Sequence, residues 1–518
     1  MVKRIHFVPR FFGDRFIALK LWSQNFSLED CGKMFKSFLY LMKWSFEIIL
    51  LALFWLVVFQ PFMHNGYLVD PERGGIIQQI ITVCVKPSVQ DLITRIITIV
   101  VLNLIFNLIL RFRRPSCREY HIMSTIIGYI VLQINCYTRN MILILGFIMI
   151  IFFLVRRVKD LMVREVGMIR PIYLVSLILI GILCLGEIIF PNPRNWQECR
   201  GIMMIMAMKT MSLSNDDYYL KRISCIELLG YLLCPATVLF GPWISLETYT
   251  LNYVNHSRLN WKWAVKMVQT FTYAMVFMVL SNCLGRAFVP TLNAMFIPCK
   301  WHEAFRNAFV FRASNYFIGY MSEFTMISAG FNAYKHNDPQ ERWHYPITRP
   351  FATEVPRSMA VVVRNWNIPV HRFLKENVYI PYLVVSRGFA IFLTFLVSSL
   401  LHGLNTRITI ILLSLGILSH SQQVVQDKLS KWFNCCCRIN ACRENCGHRF
   451  GFWHPITLFI NGINMILNVF HLAYLGHIMD ENFDRSTIWD IYHTWDDDFG
   501  LFTHHVILIW FGTMMFVV

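Results

Sequence analysis

Long apolar runs dominate this 518-residue chain and leave it few possible folds. A helix needs about 20 mainly apolar residues to cross the hydrocarbon core of a bilayer. Clear candidates are residues 44–63, 92–110, 122–137, 141–155, 171–190, 264–284, 378–400, 404–425, 456–478 and 503–518; weaker ones, which carry polar residues and glycines, are 200–213, 224–246 and 309–331. These runs predict an all-α polytopic protein with about eleven transmembrane helices, plus short or re-entrant helices, in a single membrane domain over residues 1–518.

The composition agrees with a membrane domain. Hydrophobic residues make up 56% of the chain and charged residues 15%, whereas soluble domains carry about 25% charged residues. The formal net charge of +17 raises nucleic-acid binding as an alternative. However, the basic residues stand in short clusters between apolar runs, as expected for cytosolic loops of a membrane protein.

Charge bias between the spans predicts the orientation. Residues 427–453 hold five basic and two acidic side chains, whereas residues 480–498 hold seven acidic and one basic. The excess of Lys and Arg places 427–453 in the cytosol and therefore 480–498 in the lumen. Counting back across span 404–425, the corner that contains His402 then lies toward the lumen.

Two polar residues stand out as chemical candidates. His402 lies between two apolar runs, where an imidazole can transfer protons because its pKa is near physiological pH; the alternative is a histidine hydrogen-bonded to a neighbouring helix. Asn367, in Trp366-Asn367-Ile368-Pro369, precedes a proline step and could also simply cap a local helix. Interrupted runs such as Phe240-Gly241-Pro242-Trp243 predict broken helices around a chamber, because lipid cannot satisfy their free backbone groups.

An Asn in a loop followed about 35 residues later by a His in an apolar run resembles the signature of the membrane-bound O-acyltransferase (MBOAT) family. The neighbouring residues resemble in particular the members that acylate Wnt proteins. The stretches that carry this resemblance are Glu354-Val355-Pro356-Arg357-Ser358, Trp366-Asn367-Ile368-Pro369, Leu400-Leu401-His402-Gly403, Leu239-Phe240-Gly241-Pro242-Trp243, Phe311-Arg312-Ala313-Ser314-Asn315-Tyr316 and Phe470-His471-Leu472-Ala473-Tyr474-Leu475-Gly476. The matches run from about residue 225 to 480, and the first 220 residues match only in general character.

The resemblance implies an enzyme of the endoplasmic reticulum membrane that transfers palmitoleate from palmitoleoyl-CoA to a serine hydroxyl of a Wnt protein. It implies no tightly bound cofactor. A serine hydroxyl needs a base to become a good nucleophile, and His402 is the natural one. The amide of Asn367 would donate to the oxyanion of the tetrahedral intermediate or orient His402.

The resemblance also suggests residues that contact the substrates. They are Trp243, Arg312, Ser314, Tyr316, Ser322, Trp366 and Leu401. Arg312 would meet a coenzyme A phosphate or, as we favour, form an internal ion pair with Glu323. The aromatic members would wall an acyl tunnel, although plain packing explains most aromatic residues in membrane bundles.

Rival interpretations remain open at this point. A cysteine nucleophile is disfavoured, because none of the 15 cysteines lies close in sequence to His402 or Asn367. A transporter would share the broken helices and the charges within spans, but no inverted repeat is visible. A sister acyltransferase that modifies a lipid or another peptide is the third alternative.

Five cysteines fall within residues 435–446, in a segment that also resembles an insert of the Wnt-acylating members. Cys436, Cys442, Cys446 and His448 would suit tetrahedral zinc, although the spacing is not that of a standard finger. Disulfides would require the lumen, and the predicted cytosolic side disfavours them. Palmitoylation of cysteines near the membrane is the third option.

Overall fold

The protein is described by a computed structural model that covers residues 78, 80–163, 171–190, 193–254, 259–285, 299–331, 345–440, 442 and 446–478. The predicted spans 44–63 and 503–518 and the acidic segment 480–498 lie outside these residues. The described part is helical, with one isolated backbone bridge between Cys435 and Phe450. The predicted all-α class is therefore confirmed.

In chain order the helices are α1 (Lys86–Phe112), α2 (Cys117–Asn135), α3 (Thr138–Val163), α4 (Pro171–Ile189), α5 (Pro193–Ser214), α6 (Asp217–Arg222), α7 (Cys225–Leu232), α8 (Leu246–Val254), α9 (Trp261–Val279), α10 (Cys299–Ser328), α11 (Pro350–Glu354), α12 (Met359–Trp366), α13 (Ile368–Leu374), α14 (Ile380–Tyr382), α15 (Arg387–Leu401), α16 (Thr406–Trp432) and α17 (Pro455–Ile478). Turns of π-helix precede α1 (Ile81–Val85), extend α9 (Leu280–Leu284) and follow α13 (Lys375–Tyr379).

Six described helical stretches are long and apolar enough to cross a membrane. They are Ile81–Phe112, Arg139–Met162, Ile172–Ile189, Trp261–Leu284, Arg407–Trp432 and Pro455–Gly476. In the first of them only 28% of the most apolar window is buried within the protein. Its outward residues, such as Ile97, Val101 and Ile105, are large and apolar. A helix that is apolar on its outer face needs lipid around it, so the chain is a multi-pass membrane protein.

Two predicted spans are shorter than the apolar pattern suggested. The run 378–400 does not form one helix: α15 begins only at Arg387, because the Ser386 hydroxyl caps its first turn by accepting from the Phe389 N–H at 3.1 Å. The run 224–246 is helical only to Leu232, and residues 233–245 form turns and irregular backbone. Hydropathy alone cannot locate such breaks, because the residues on both sides of each break are apolar.

The broken segment that follows α7 is buried inside the protein, and side chains from other helices satisfy its backbone. The buried Lys209 ammonium on α5 donates to the Tyr231 carbonyl at 2.7 Å and to the Thr237 hydroxyl oxygen at 2.8 Å. From α10, Ser322 donates to the carbonyl of Phe240 at 2.9 Å, and Thr325 bonds that of Ala236 at 2.9 Å. These bonds make a broken helix tolerable at membrane depth.

Contacts join α1, α9 and α10 near one end of these helices, and a disulfide joins the π-helical turns beside α1 and α9 near the other. At one end Asn107 donates to the Ser328 carbonyl at 2.9 Å, and the Trp263 indole donates to the Ile327 carbonyl at 2.9 Å. At the other end a disulfide between Cys84 and Cys283 joins the start of the first span to the end of the fourth. These contacts fix α1 and α9 relative to each other and hold the end of α10, the helix that carries Arg312 and Tyr316, against them.

Candidate active site

His402 lies at a sharp corner between α15 and α16. α15 ends at Leu401, His402 is its C-cap residue, and Gly403 follows with a φ of +88°. A left-handed residue directly after the cap is a common way to end a helix, and glycine adopts it without strain. The Ser399 hydroxyl donates to that of Thr409 at 2.7 Å, which joins the last turn of α15 to the first turn of α16.

An ion pair from another part of the chain lies against this corner. Arg200 on α5 contacts Glu187 on α4 at 3.1 Å, and the Trp196 indole donates to the same carboxylate at 3.3 Å. Both charged side chains are largely buried. A Cβ added to Gly403 would overlap the Glu187 carboxylate. The α4–α5 hairpin therefore fixes the backbone next to His402.

The His402 side chain keeps some accessible surface although protein surrounds it. Burial lowers the pKa of the His402 imidazole to about 4, and the nearby Arg200 adds to the effect. The ring makes no hydrogen bond to another side chain in the described part of the chain, which disfavours a purely structural histidine. A neutral, unpaired imidazole is able to accept a proton.

Asn367 lies at the junction between α12 and α13. It is the N-cap residue of α13, and its Oδ1 accepts from the Val370 N–H at 3.2 Å. The capping role considered from the sequence is thus present. This bond uses the carbonyl side of the amide and leaves its NH₂ without a hydrogen-bond partner among the described residues. The cap therefore orients the amide, and its donor end stays available.

Arg312 and Tyr316 share one face of α10 and converge on a single carboxylate. Arg312 donates to Glu354 through Nε at 2.7 Å and through Nη2 at 3.0 Å, and the Tyr316 hydroxyl donates to Glu354 at 2.7 Å. The prediction that Arg312 pairs with Glu323 is therefore wrong. The prediction that Arg312 forms an ion pair within the protein is correct, but its partner is Glu354. Glu323 instead accepts from Lys266 on α9 at 3.2 Å, because eleven residues, about three helical turns or roughly 16 Å, separate it from Arg312 along α10.

The aromatic candidates divide into two groups. Trp366, directly before Asn367, packs on Tyr316 with ring centroids 6.0 Å apart. Trp243 packs edge-on against Phe373 of α13 at 5.5 Å and belongs to the same apolar cluster as Leu401. One group therefore contacts α10 and the other contacts α13, the helix that Asn367 caps.

The two serine candidates bond to nearby backbone. The Ser314 hydroxyl donates to the Phe311 carbonyl at 2.7 Å within α10. Ser322 supports the broken segment through the Phe240 carbonyl. In these positions each hydroxyl has an intramolecular acceptor, so their contribution to substrate binding stays a prediction.

Sequence reasoning missed three participants in the site: Glu354, Arg200 and Gly403. Glu354 and Gly403 both belong to stretches that carry the family resemblance, Glu354-Val355-Pro356 and Leu400-Leu401-His402-Gly403, so a signal was present for them. Arg200 carried no such signal. The importance of Arg200 and Gly403 comes from a contact between distant parts of the chain.

Comparison with known proteins agrees with this architecture. The family model of the membrane-bound O-acyltransferases matches residues 38–465. The match begins well before residue 225, so the resemblance extends further toward the N-terminus than the sequence stretches alone suggested.

Several curated relatives carry the name protein-serine O-palmitoleoyltransferase porcupine. Those from Mus musculus and Homo sapiens are each 30% identical to this chain over 446 residues, covering 80% of it and 91% of the relative. That from Anopheles gambiae is 29% identical over 442 residues, covering 79% and 88%. From the helical architecture, the family match and these relatives, the chain belongs to the membrane-bound O-acyltransferase family and is an acyltransferase.

Proposed function

We propose that this enzyme transfers palmitoleate from palmitoleoyl-CoA to a serine hydroxyl of a Wnt protein. The observation that carries the proposal is the identity to the mouse and human protein-serine O-palmitoleoyltransferases across 91% of their length. The similarity covers nearly the whole of each relative, so it includes both the catalytic corner and the surrounding helices. In the proposed role, acylation of this serine enables the Wnt protein to be secreted and to signal.

His402 is the proposed general base. The acceptor serine oxygen attacks the thioester carbonyl carbon while its proton passes to the neutral imidazole. The carbon–sulfur bond then breaks, and the coenzyme A sulfur takes the proton from the imidazolium. A positioned base of this kind contributes about 10²–10⁴-fold to the rate. The reaction needs no acyl-enzyme and no further cofactor.

Asn367 is the proposed donor to the reacting carbonyl. Its Oδ1 is held by the Val370 N–H, so the opposite end of the amide projects away from α13. A fixed donor costs little reorganisation when negative charge develops on the oxyanion. This favours oxyanion stabilisation over the alternative that Asn367 orients His402, since no hydrogen bond joins the two side chains.

The proposed orientation places the His402 corner toward the lumen of the endoplasmic reticulum and the cysteine-rich loop 427–453 in the cytosol. Two features support it. Arg111 and Arg113 lie at the end of α1 opposite to Cys84, as expected if the basic end is cytosolic. The Cys84–Cys283 disulfide then falls on the luminal side, where thiols become oxidised.

The remaining candidates are proposed as substrate contacts through packing. Trp366 and Tyr316 would border the acyl chain near Asn367, and Trp243 with Leu401 would border it near His402. Arg312 is proposed to act through the Glu354 pair by holding α10 against α11, and not by binding coenzyme A phosphate.

The test is acyl transfer by purified, detergent-solubilised protein with palmitoleoyl-CoA and a disulfide-constrained Wnt loop peptide. Wild type should acylate the serine. His402→Ala should bind the acyl-CoA normally but lose about 10²–10⁴-fold in kcat. Near-normal turnover by that variant would make His402 structural. Transfer to a lipid but not to the peptide would keep the family assignment and refute the Wnt substrate.

A matched pair of variants tests Asn367. Asn367→Asp keeps an oxygen that caps α13 but has no amide donor, so stability should be retained while kcat falls about 10²–10³-fold. Asn367→Ser also keeps a capping oxygen and lacks the NH₂ group, so its kcat should fall by a similar factor. If Asn367→Asp turned over at the wild-type rate, the residue would be a cap and nothing more.

A further inference from the structure

Four side chains in the loop after α16 converge on one point. They belong to Cys436, Cys442, Cys446 and His448, whose possible ligand atoms all lie within 4.8 Å of one another. Cys436 Sγ lies 2.9 Å from Cys446 Sγ and 3.5 Å from His448 Nδ1, and Cys442 Sγ lies 3.6 Å from the same nitrogen. Residues separated by up to twelve positions in the chain therefore present sulfur and nitrogen atoms to a common centre.

The distances match a tetrahedral metal site. With Zn–S bonds of about 2.3 Å and Zn–N bonds of about 2.0–2.1 Å, the edges of a tetrahedron measure roughly 3.5–3.8 Å. The two sulfur–nitrogen separations agree with these edges, and the close sulfur pair would open by about 1 Å on binding. A separation of 2.9 Å is too long for a disulfide, whose bond is about 2.05 Å.

The surroundings prepare His448 as a ligand. Its other ring nitrogen, Nε2, lies 3.2 Å from the Ser430 hydroxyl, whose oxygen is 2.7 Å from the Cys435 carbonyl. Bonding at Nε2 orients the ring and directs Nδ1 at the three sulfurs. Metal-binding histidines typically use their second nitrogen in this way. Cys436 itself is fully buried, so its thiol is enclosed at the centre of the cluster.

The cluster is connected to the segment that leads to Asn367. Arg357 donates to the Cys436 carbonyl and lies over the Phe452 ring, and Arg364 of α12 donates to Asn440 at 2.9 Å. The Cys436 N–H also donates to the Phe450 carbonyl at 3.1 Å. A fixed loop would therefore hold two arginines, one just before α12 and one within it.

We propose that Cys436, Cys442, Cys446 and His448 bind one zinc ion, which closes the loop and supports α12 through Arg357 and Arg364. Three cysteines and one histidine complete the coordination shell, so the ion is structural and leaves no position for substrate. Thiolates and imidazole favour zinc over calcium or magnesium, which prefer oxygen ligands.

Elemental analysis of the purified full-length protein in detergent tests this directly. Wild type should carry about one zinc ion per chain after gel filtration without added metal. Cys442→Ser and His448→Ala should lose most of it. His448→Cys should retain about one, because four thiolates also bind zinc tetrahedrally. Cys437→Ser is the matched control, since that thiol points instead to the Gln426 carbonyl and lies outside the cluster.

Three outcomes overturn the proposal. A disulfide between Cys436 and Cys446, found by mass spectrometry after alkylation without reductant, would mean that the pair is oxidised and that no metal holds it. Hydroxylamine-sensitive acyl groups on Cys442 or Cys446 would mean that the thiols are modified. Zinc content equal in wild type and in Cys442→Ser would also refute the site. These readouts do not depend on acyl transfer, so the proposed function can fail while the metal site stands.

Discussion

Removing the Glu354 carboxylate should destabilise the protein more than any exposed charge deletion. In Glu354→Ala, the Arg312 guanidinium loses both of its hydrogen bonds to Glu354, and the Tyr316 hydroxyl loses its acceptor. The Arg312 side chain is only 4% exposed, so water cannot replace the lost partner. An arginine cannot become neutral to avoid this cost, because its guanidinium stays protonated in proteins.

The expected magnitude follows from these contacts. Removing one partner of a buried pair costs about 3–5 kcal/mol. Because Glu354 is 22% exposed, the lower end of that range applies. A loss of about 3 kcal/mol is roughly a 140-fold change in the folding equilibrium. The exposed Arg372–Glu376 pair provides the control, since Glu376→Ala should cost less than about 1 kcal/mol.

Unfolding by SDS in mixed micelles, followed by tryptophan fluorescence, measures both losses. The variant Arg312→Met/Tyr316→Phe/Glu354→Leu removes every polar group of the cluster and should recover at least about 2 kcal/mol relative to Glu354→Ala. If the triple variant is no more stable than Glu354→Ala, the unpaired Arg312 charge is not the cause of the stability lost in Glu354→Ala. If it folds well but its KM for acyl-CoA rises tenfold or more, Arg312 binds coenzyme A phosphate and the internal role is wrong.

Three further predictions concern the corner and the broken segment. Gly403→Ala should lower both stability and kcat, because position 403 has a left-handed backbone and an added Cβ would overlap the α4–α5 ion pair. Gly388→Ala, on the open surface of α15, is the control and should be neutral or stabilising. Thermal unfolding and acyl-transfer turnover of the two variants are compared with those of wild type. Lys209→Met should cost about 1–3 kcal/mol in micelle unfolding, because the Tyr231 carbonyl loses its donor, and a neutral result would refute that role. Since His402 has a lowered pKa of about 4 and acts when neutral, kcat should stay flat down to pH 6 and fall only as pH drops toward that pKa; a half-maximal point near 6.5 would contradict this.

Hydropathy and short motifs were sufficient for the class of fold and for the catalytic candidates. The apolar runs predicted the six described spans, because lipid imposes length and composition on any helix that crosses it. His402 was visible as a polar residue between two apolar runs, and Asn367 as a polar residue beside a proline. Both signals depend only on neighbouring residues in the chain, so a single sequence is enough to show them.

Partners across helices were not predictable in the same way. Arg312 pairs with Glu354, which is 42 residues away, and not with the nearer Glu323. Cys84 and Cys283 are 199 residues apart. Such contacts depend on which helices are neighbours and on how each is rotated, and neither property leaves a periodic pattern in the chain. The late start of α15 has a different, local reason, since a serine cap is weak evidence within an apolar run.

The bonds of Lys209 have a consequence for biosynthesis. α5 is not among the described helices that are apolar enough to span a bilayer by themselves. Its lysine leaves the ribosome before Tyr231 and Thr237, the groups that later bind it, have been made. Integration of α5 by the translocon should therefore wait for the next thirty or so residues, and a nascent chain that ends after α6 should leave this helix outside the membrane.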